Sequence, residues 1–396
     1  MDRLLQIIGF GPAALGLFIA ADRERQLPAL LSLGIDVHER SPSVAQWDCL
    51  AYDIQANSPI QDFLQGIRPD GAFAECLRQS EVRDWLQDPS RILQLESISA
   101  FLRQLAQVVI AVCADHPATS VTFGRRVDAV QASDSGFICQ GNWGRSFSRY
   151  LVLACGARGR PLQLTCADLR QTVERHWPTP LCSDGVLRGQ ADAQLRDAVG
   201  QGRQILVLGG SHSAFSTVEY LLRRLGSELA PRSLHVLCRK RPGLWQVPGT
   251  PASQLLPDDV VDTVSGEVNR FRGLRGKARQ TLLEVESGRQ PAVVLHVGEP
   301  DLEPWRLAAP LLINATGYEP RMPELRDSLG QPMALDTWQD NHRKHPLTHE
   351  LTSNGQPIRG LFGTGLGFAD QQGATIEVGV NFFHGRCANN ILKAVL

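Results

Sequence analysis

Leu4 to Gly16 reads LLQIIGFGPAALG, and the fold follows from it. Leu4, Leu5, Ile7 and Ile8 form a short apolar run of the kind that becomes a central parallel strand, and Gly9, Gly11 and Ala14 follow at GxGxxA spacing. Gly9 permits a tight bend, Gly11 lets backbone approach a pyrophosphate, and Ala14 lets the next helix lie close on the strand. The spacing predicts a helix from about Pro12, which suits a first turn because it has no N–H, through Phe18 and Ala21 toward Gln26. Its N-terminal dipole favours negative charge. A second strand, Gly34 to His38, ends on Glu39, where a carboxylate accepts a ribose hydroxyl and repels a 2′-phosphate. The segment from Leu27 to Leu33 reads as an extra helical turn, which explains why the acid lies beyond the usual ~20 residues.

The 396 residues carry a net charge of −1 and are 43% hydrophobic, which suits two or three globular domains with sizeable cores. Nothing points to nucleic acid or membrane. The chain opens on its first strand without a charged-then-apolar leader, and no apolar stretch approaches the ~18 residues a span needs, so a cytoplasmic protein is expected. Nine cysteines are scattered without a CxxC pair or zinc-ligand spacing; most are expected to be reduced core residues.

Further along, Cys49 to Phe63 is predicted to be irregular, and Ile98 to Val112 to be an amphipathic helix with Ser97 or Ser99 as its N-cap. Ser120–Phe123, Val127–Ala132 and Gly136–Gln140 suggest an antiparallel meander that ends in Tyr150–Gly156 (YLVLACG), a buried strand closing on glycine. The polar stretch from Leu162 to about Gln201 is expected to be a crossover between domains.

A second turn follows. Gln204–Leu208 (QILVL) is another apolar strand, and Gly209, Gly210, Ser211, His212, Ser213 and Ala214 precede a helix carrying Phe215, Val218, Leu221 and Leu222. Ser211 stands where GxGxxA has its middle glycine. The strand Leu234–Cys238 then leads into Arg239, Lys240 and Arg241, where the first unit had an acid. Cations there would hold a 2′-phosphate, so this site reads as one for NADPH rather than NADH. Pro242–Asp259 is a Pro-rich loop, and Arg270–Arg279 is a basic run expected to be a solvated face. Leu311–Tyr318 (LLINATGY) repeats the closing strand. The chain ends with Leu361–Asp370 (LFGTGLGFAD), whose glycines allow backbone close to a ligand, and a helix candidate from about Phe383.

Two nucleotide turns, two strand-to-glycine closures and a glycine-rich tail, in this order, resemble the two-dinucleotide-binding flavoproteins. That resemblance covers most of the chain and implies an α/β fold of two Rossmann-like domains with a small antiparallel meander. The NADPH domain (166–304) would be inserted into a discontinuous FAD domain (1–165 and 305–396). Within the superfamily, IIGFGPAALG, GGSHSA and INATGY resemble the class B flavin monooxygenases, a group that includes the flavin-containing monooxygenases and the bacterial lysine and ornithine N-hydroxylases. The FxGxxxHxxx(Y/F) fingerprint is absent from the crossover, where only His176 and Trp177 echo it; N-hydroxylases also tend to lack it.

The resemblance implies FAD on Gly9, Gly11, Pro12, Ala14 and Glu39, and NADPH on Gly209, Gly210, Ser211, Ser213, Ala214, Arg239 and Lys240. Further cofactor contacts would come from Thr316, Gly317, Gly365 and Asp370. Tyr52 followed by Asn57 resembles the flavin-containing monooxygenase segment in which an asparagine sits beside the reactive flavin carbon. The family's nearby lysine is missing and the spacing is one residue shorter, so Asn57 alone is the catalytic candidate, with an Asx-turn before Pro59 as its structural alternative. Gln55, Gln61 and Asp62 are substrate candidates from their proximity in sequence. The implied chemistry is reduction of flavin by NADPH, reaction with dioxygen to a C4a-hydroperoxide, and oxygen transfer to a small amine or amino acid. A reductase passing electrons to an external acceptor, or a non-catalytic flavin protein, are the alternatives. Two further patterns are set aside. His342, His345 and His349 near Asp340 lack a helical register for metal binding, and the Asn314 sequon lies in a strand closure.

Overall fold

The computed structural model describes residues 3–47, 50–162, 179–263, 265–270, 273–298, 310–338, 341–372, 375–377 and 379–396. His176, Trp177 and Asp340 lie outside the described residues. The chain divides into two compact units, one of Met1–Ala51, Ser58–Arg158 and Glu319–Leu396, the other of Tyr52–Asn57 and Gly159–Tyr318.

In the first unit, β1 (Arg3–Ile8) runs into α1 (Pro12–Arg23), and β2 (Ile35–His38) returns parallel to β1 with Ile7 opposite Val37. Leu5, Ile7 and Val37 are fully buried, as expected of strands covered on both faces. Leu27–Ser32 forms the extra helical turn read from the sequence. The long helix α2 spans Leu95–Ala114 and starts at Gln94, so neither Ser97 nor Ser99 is its N-cap. By length and composition α2 could cross a membrane, which corrects the expectation that no stretch approaches that length. Its Phe101, Leu102, Leu105 and Val109 are buried, so the apolar face serves as core.

The strand β3 (Ser120–Thr122) pairs parallel with β2, outside the meander predicted for it. The meander consists of β4 (Val127–Ser133), β5 (Gly136–Gly141) and the ten-residue β6 (Gly144–Leu153). β6 does two jobs: its first half pairs antiparallel with β5, and its second half pairs parallel with β1.

The second unit holds a five-stranded parallel sheet of β7 (Leu181–Cys182), β8 (Ile205–Leu208), β9 (Leu234–Cys238), β10 (Val293–Val297) and β11 (Leu311–Asn314), in the order β10-β9-β8-β11-β7. α3 (His212–Leu225) and α4 (Gly276–Glu286) pack beside it, with Phe215, Val218, Leu221 and Leu282 fully buried. The expected polar crossover therefore contains a strand and the helices Ser183–Leu187 and Asp192–Gly200, and it belongs to this unit's core. This unit's main segment runs from Gly159 to Tyr318, and β11 belongs to it through its bonds to β8. The basic run is not simply solvated: Arg270 pairs with Glu267 at 3.0 Å, and Arg275 lies 4.7 Å over the Trp245 ring.

The chain then returns to the first unit. β12 (Glu324–Arg326) pairs with β4, β13 (Leu361–Gly363) pairs with β6, and the C-terminal helix α5 (Ala388–Val395) packs with α1.

Candidate active site

The first turn is built by close backbone packing. Gly9 sits at φ +93°, and a Cβ there would lie 2.3 Å from the Ala154 carbonyl oxygen. Its N–H donates to His38 O at 2.8 Å, and the Ala154 N–H donates to Ile8 O at 2.8 Å. Gly11 is the N-cap of α1 and Pro12 its first residue, with no side chain capping the free N–H groups. A Cβ on Gly11 would meet no protein atom within 4 Å. An open cradle at an uncapped helix N-terminus suits a pyrophosphate. Glu39 is 7% exposed and accepts Phe10 N–H and Ser41 N–H, both at 2.7 Å, one on each carboxylate oxygen. A carboxylate offers about four acceptor sites, so two remain for a ribose diol.

The tail closes on the same turn. Thr364 N–H donates to Leu153 O at 2.9 Å, and Gly365 (φ +93°) lies so close that a Cβ would be 3.0 Å from Ala13 Cβ. The Thr364 hydroxyl is buried and has no partner among the described residues, which suits a contact to a bound cofactor. Sequence reasoning passed over Thr364; its place between Gly363 and Gly365 was the available signal. Asp370 is already engaged by Arg386 at 3.4 Å. These features fit FAD.

His384 braces the turn from below. It is fully buried, its Nε2–H donates to Pro12 O at 2.8 Å, and burial pushes its pKa down to about 4. Because this value is below the ~6.5 of a free imidazole, the unfolded chain binds the proton first, and stability falls as pH drops from about 6.5 toward 4. We expect the protein to lose on the order of 3 kcal/mol across that window, read as a falling urea midpoint, with a shallower loss in His384→Gln. Equal slopes would contradict this role.

The second turn repeats the first. Gly209 sits at φ +135° with its added Cβ 2.3 Å from Ala315 O. Its N–H donates to Leu237 O at 2.9 Å, and the Ala315 N–H donates to Leu208 O at 2.8 Å. Ser211 is the N-cap of α3 at φ −111°, ψ −172°, close to the −85°, −175° of Gly11. That extended conformation is open to any residue, so serine strains nothing. Gly210 is needed for packing: a Cβ would lie 2.8 Å from Cys238 Cβ. Ala214 is fully buried against the sheet, and Ser213 is half-buried in the first turn of α3. His212 accepts the Arg275 N–H at 3.0 Å, with its pKa lowered to about 4 by burial and then by Arg275, which makes it a neutral brace.

After β9, Arg239 and Lys240 are exposed and form no ion pair among the described residues, whereas Arg241 binds Glu286 with two bonds of 2.7 and 2.8 Å. Only the first two cations are free for a phosphate. Thr316 is tied to Asn314, whose Oδ1 accepts its N–H at 3.1 Å and its hydroxyl at 2.8 Å. Gly317 (φ +114°) accepts the Arg160 N–H at 2.9 Å.

The substrate candidates are divided between the two units. Asn57, exposed, and Gln55, half-buried, belong to the second unit, whereas Gln61 and Asp62 lie on the short helix Ile60–Leu64 of the first.

Two such turns, each closed by the carbonyl of a neighbouring parallel strand, define the fold of the two-dinucleotide-binding flavoproteins. No protein-family model matches the chain. In sequence it is 28% identical over 357 residues to CMP-5'-(3-aminopropyl)phosphonate hydroxylase of Streptomyces rubellomurinus, covering 83% of this chain and 80% of that one. Its fold is similar to L-lysine 6-monooxygenase from Pseudomonas syringae, with a TM-score of 0.63 and 19% identity over 100% of this chain and 99% of that one. It is also similar to ornithine hydroxylase from Pseudomonas aeruginosa, with a TM-score of 0.60 and 12% identity over 100% and 99%. At these identities the two solved structures speak for the fold. The chain is thus similar in sequence to a hydroxylase and in fold to a lysine monooxygenase and an ornithine hydroxylase.

Proposed function

We propose that this chain is a FAD- and NADPH-dependent monooxygenase that N-hydroxylates a small aliphatic amine. The observation that carries it is the duplicated turn with opposite charge beyond its second strand: buried Glu39 in the first, exposed Arg239 and Lys240 in the second. An acid selects an unphosphorylated ribose, and a cation pair selects a 2′-phosphate. Bound together, the two cofactors would supply hydride transfer and activation of dioxygen. The chain's part is to hold and shield them. Gly11 and the start of α1 would cradle the pyrophosphate, Glu39 the ribose, and the Asn57 side chain would offer a hydrogen bond beside the reacting flavin edge.

The sequence relative and both solved neighbours are named for substrates that carry an alkyl amine, which supports that substrate class here. An alkyl ammonium has a pKa near ~10.4, so the site must take the amine up neutral or strip its proton by desolvation. Incubation with NADPH, dioxygen and a panel of lysine, ornithine and 3-aminopropylphosphonate, assayed for hydroxylamine, tests the assignment. Asn57→Ala is expected to keep its flavin and its rate of reduction by NADPH while releasing several-fold more hydrogen peroxide per NADPH consumed. An unchanged peroxide yield would remove Asn57 from the site.

A further inference from the structure

The strip 52–57 lies between two segments of the first unit in the sequence, yet it is held by the second. Tyr52 and Ile54 pack against the core that includes Val186, Leu187 and Phe215. The Asp53 N–H donates to Leu187 O at 2.9 Å. Arg223 Nη1 lies 3.1 Å from Asp53 Oδ2, its Nη2 donates to Asp53 O at 2.5 Å, and Arg224 Nη2 lies 3.4 Å from the same carboxylate oxygen. Tyr52 donates to Asp184 Oδ1 at 3.2 Å, and Tyr318 donates to that same oxygen at 2.5 Å. Arg188 stacks over the Tyr52 ring, 5.0 Å from its centroid. Burial, then Asp184, raises the Tyr52 pKa to about 12, so it remains a donor at every working pH.

Solvent-exposed ion pairs alone hold little. Here they close over an apolar anchor and a backbone hydrogen bond, and the combination fixes a strip too short to hold itself. Asn57 is the exposed last residue of that strip.

We propose that Tyr52 and Asp53 are positioning residues that fasten the Asn57 strip to the NADPH-binding unit, so that Asn57 is carried by the nicotinamide's unit rather than the flavin's. The consequence for Asn57 rests on the function proposed above; the clasp itself does not. Asn57 would then be set in place together with NADP⁺, which couples retention of the oxidised nicotinamide to protection of the reacting flavin edge.

The test is hydrogen–deuterium exchange on the holoenzyme, paired with peroxide yield. In Asp53→Ala and in Tyr52→Phe, the peptide spanning residues 52–57, whose residue-53 amide bonds to Leu187 O, is expected to exchange about tenfold faster, while β8 and β9 stay unchanged. Peroxide per NADPH should rise several-fold at an unaltered NADPH KM, and Asp53→Glu should restore much of both readouts. Unchanged exchange in the 52–57 peptide would overturn the clasp, and so would acceleration spread evenly over β8 and β9. Faster local exchange with an unchanged peroxide yield would leave the clasp standing and remove the catalytic assignment of Asn57.

Discussion

Replacing Gly11 by valine is expected to strip the protein of flavin while leaving its fold standing. A side chain at Gly11 would meet no protein atom within 4 Å, and the residue's φ of −85° and ψ of −175° are open to any amino acid. Nothing in the folded chain objects to the substitution; only a group lying over the N-terminus of α1 would. A clash of ~1–3 kcal/mol with that group weakens binding by about 10- to 100-fold. The purified variant should be nearly colourless, with the circular dichroism spectrum of the parent. Gly9→Ala makes the contrast: its Cβ would sit 2.3 Å from Ala154 O at φ +93°, so that variant should lose the fold together with the flavin. Full flavin content in Gly11→Val would overturn the assignment of the first turn.

Removing both cations after β9 should change which nicotinamide the enzyme prefers. With Arg241 committed to Glu286, Arg239 and Lys240 are left for a 2′-phosphate, and charge-assisted bonds to phosphate are strong and directional. Arg239→Ala with Lys240→Ala is expected to raise the NADPH KM by roughly tenfold or more while moving the NADH KM far less. Because both side chains are exposed, the wild-type preference should also narrow as salt screens them. A parallel rise for NADH would mean that the pair acts on the turn's shape and not on the phosphate.

Much of this was legible in the sequence because parallel strands and nucleotide turns have local signatures. LLQIIGFGPAALG and QILVLGGSHSA each state a buried strand, a forced positive φ and a helix start within a dozen residues, and both appear where the sequence placed them. What could not be read depends on partners distant in the chain. Ser120–Thr122 carries the same alternation as a meander strand, and only its pairing with β2 makes it part of the parallel sheet. The segment 311–314 looks like a return to the first unit until its bonds to β8 are seen. The ion pair of Asp370 with Arg386, sixteen residues later in the chain, has no local signal either. The attachment of Tyr52–Asn57 depends on Asp184, Arg223 and Arg224, more than a hundred residues away, and no periodicity within the strip announces them.

The most direct test of the central claim is anaerobic reduction of the purified protein with NADPH, followed by stopped-flow mixing with oxygenated buffer, with and without the amine panel. The proposed function predicts bleaching by NADPH and then a long-lived absorbing species distinct from reduced and oxidised flavin, whose decay an amine substrate accelerates. Immediate return to oxidised flavin under every condition would contradict a monooxygenase and favour a reductase that passes its electrons elsewhere.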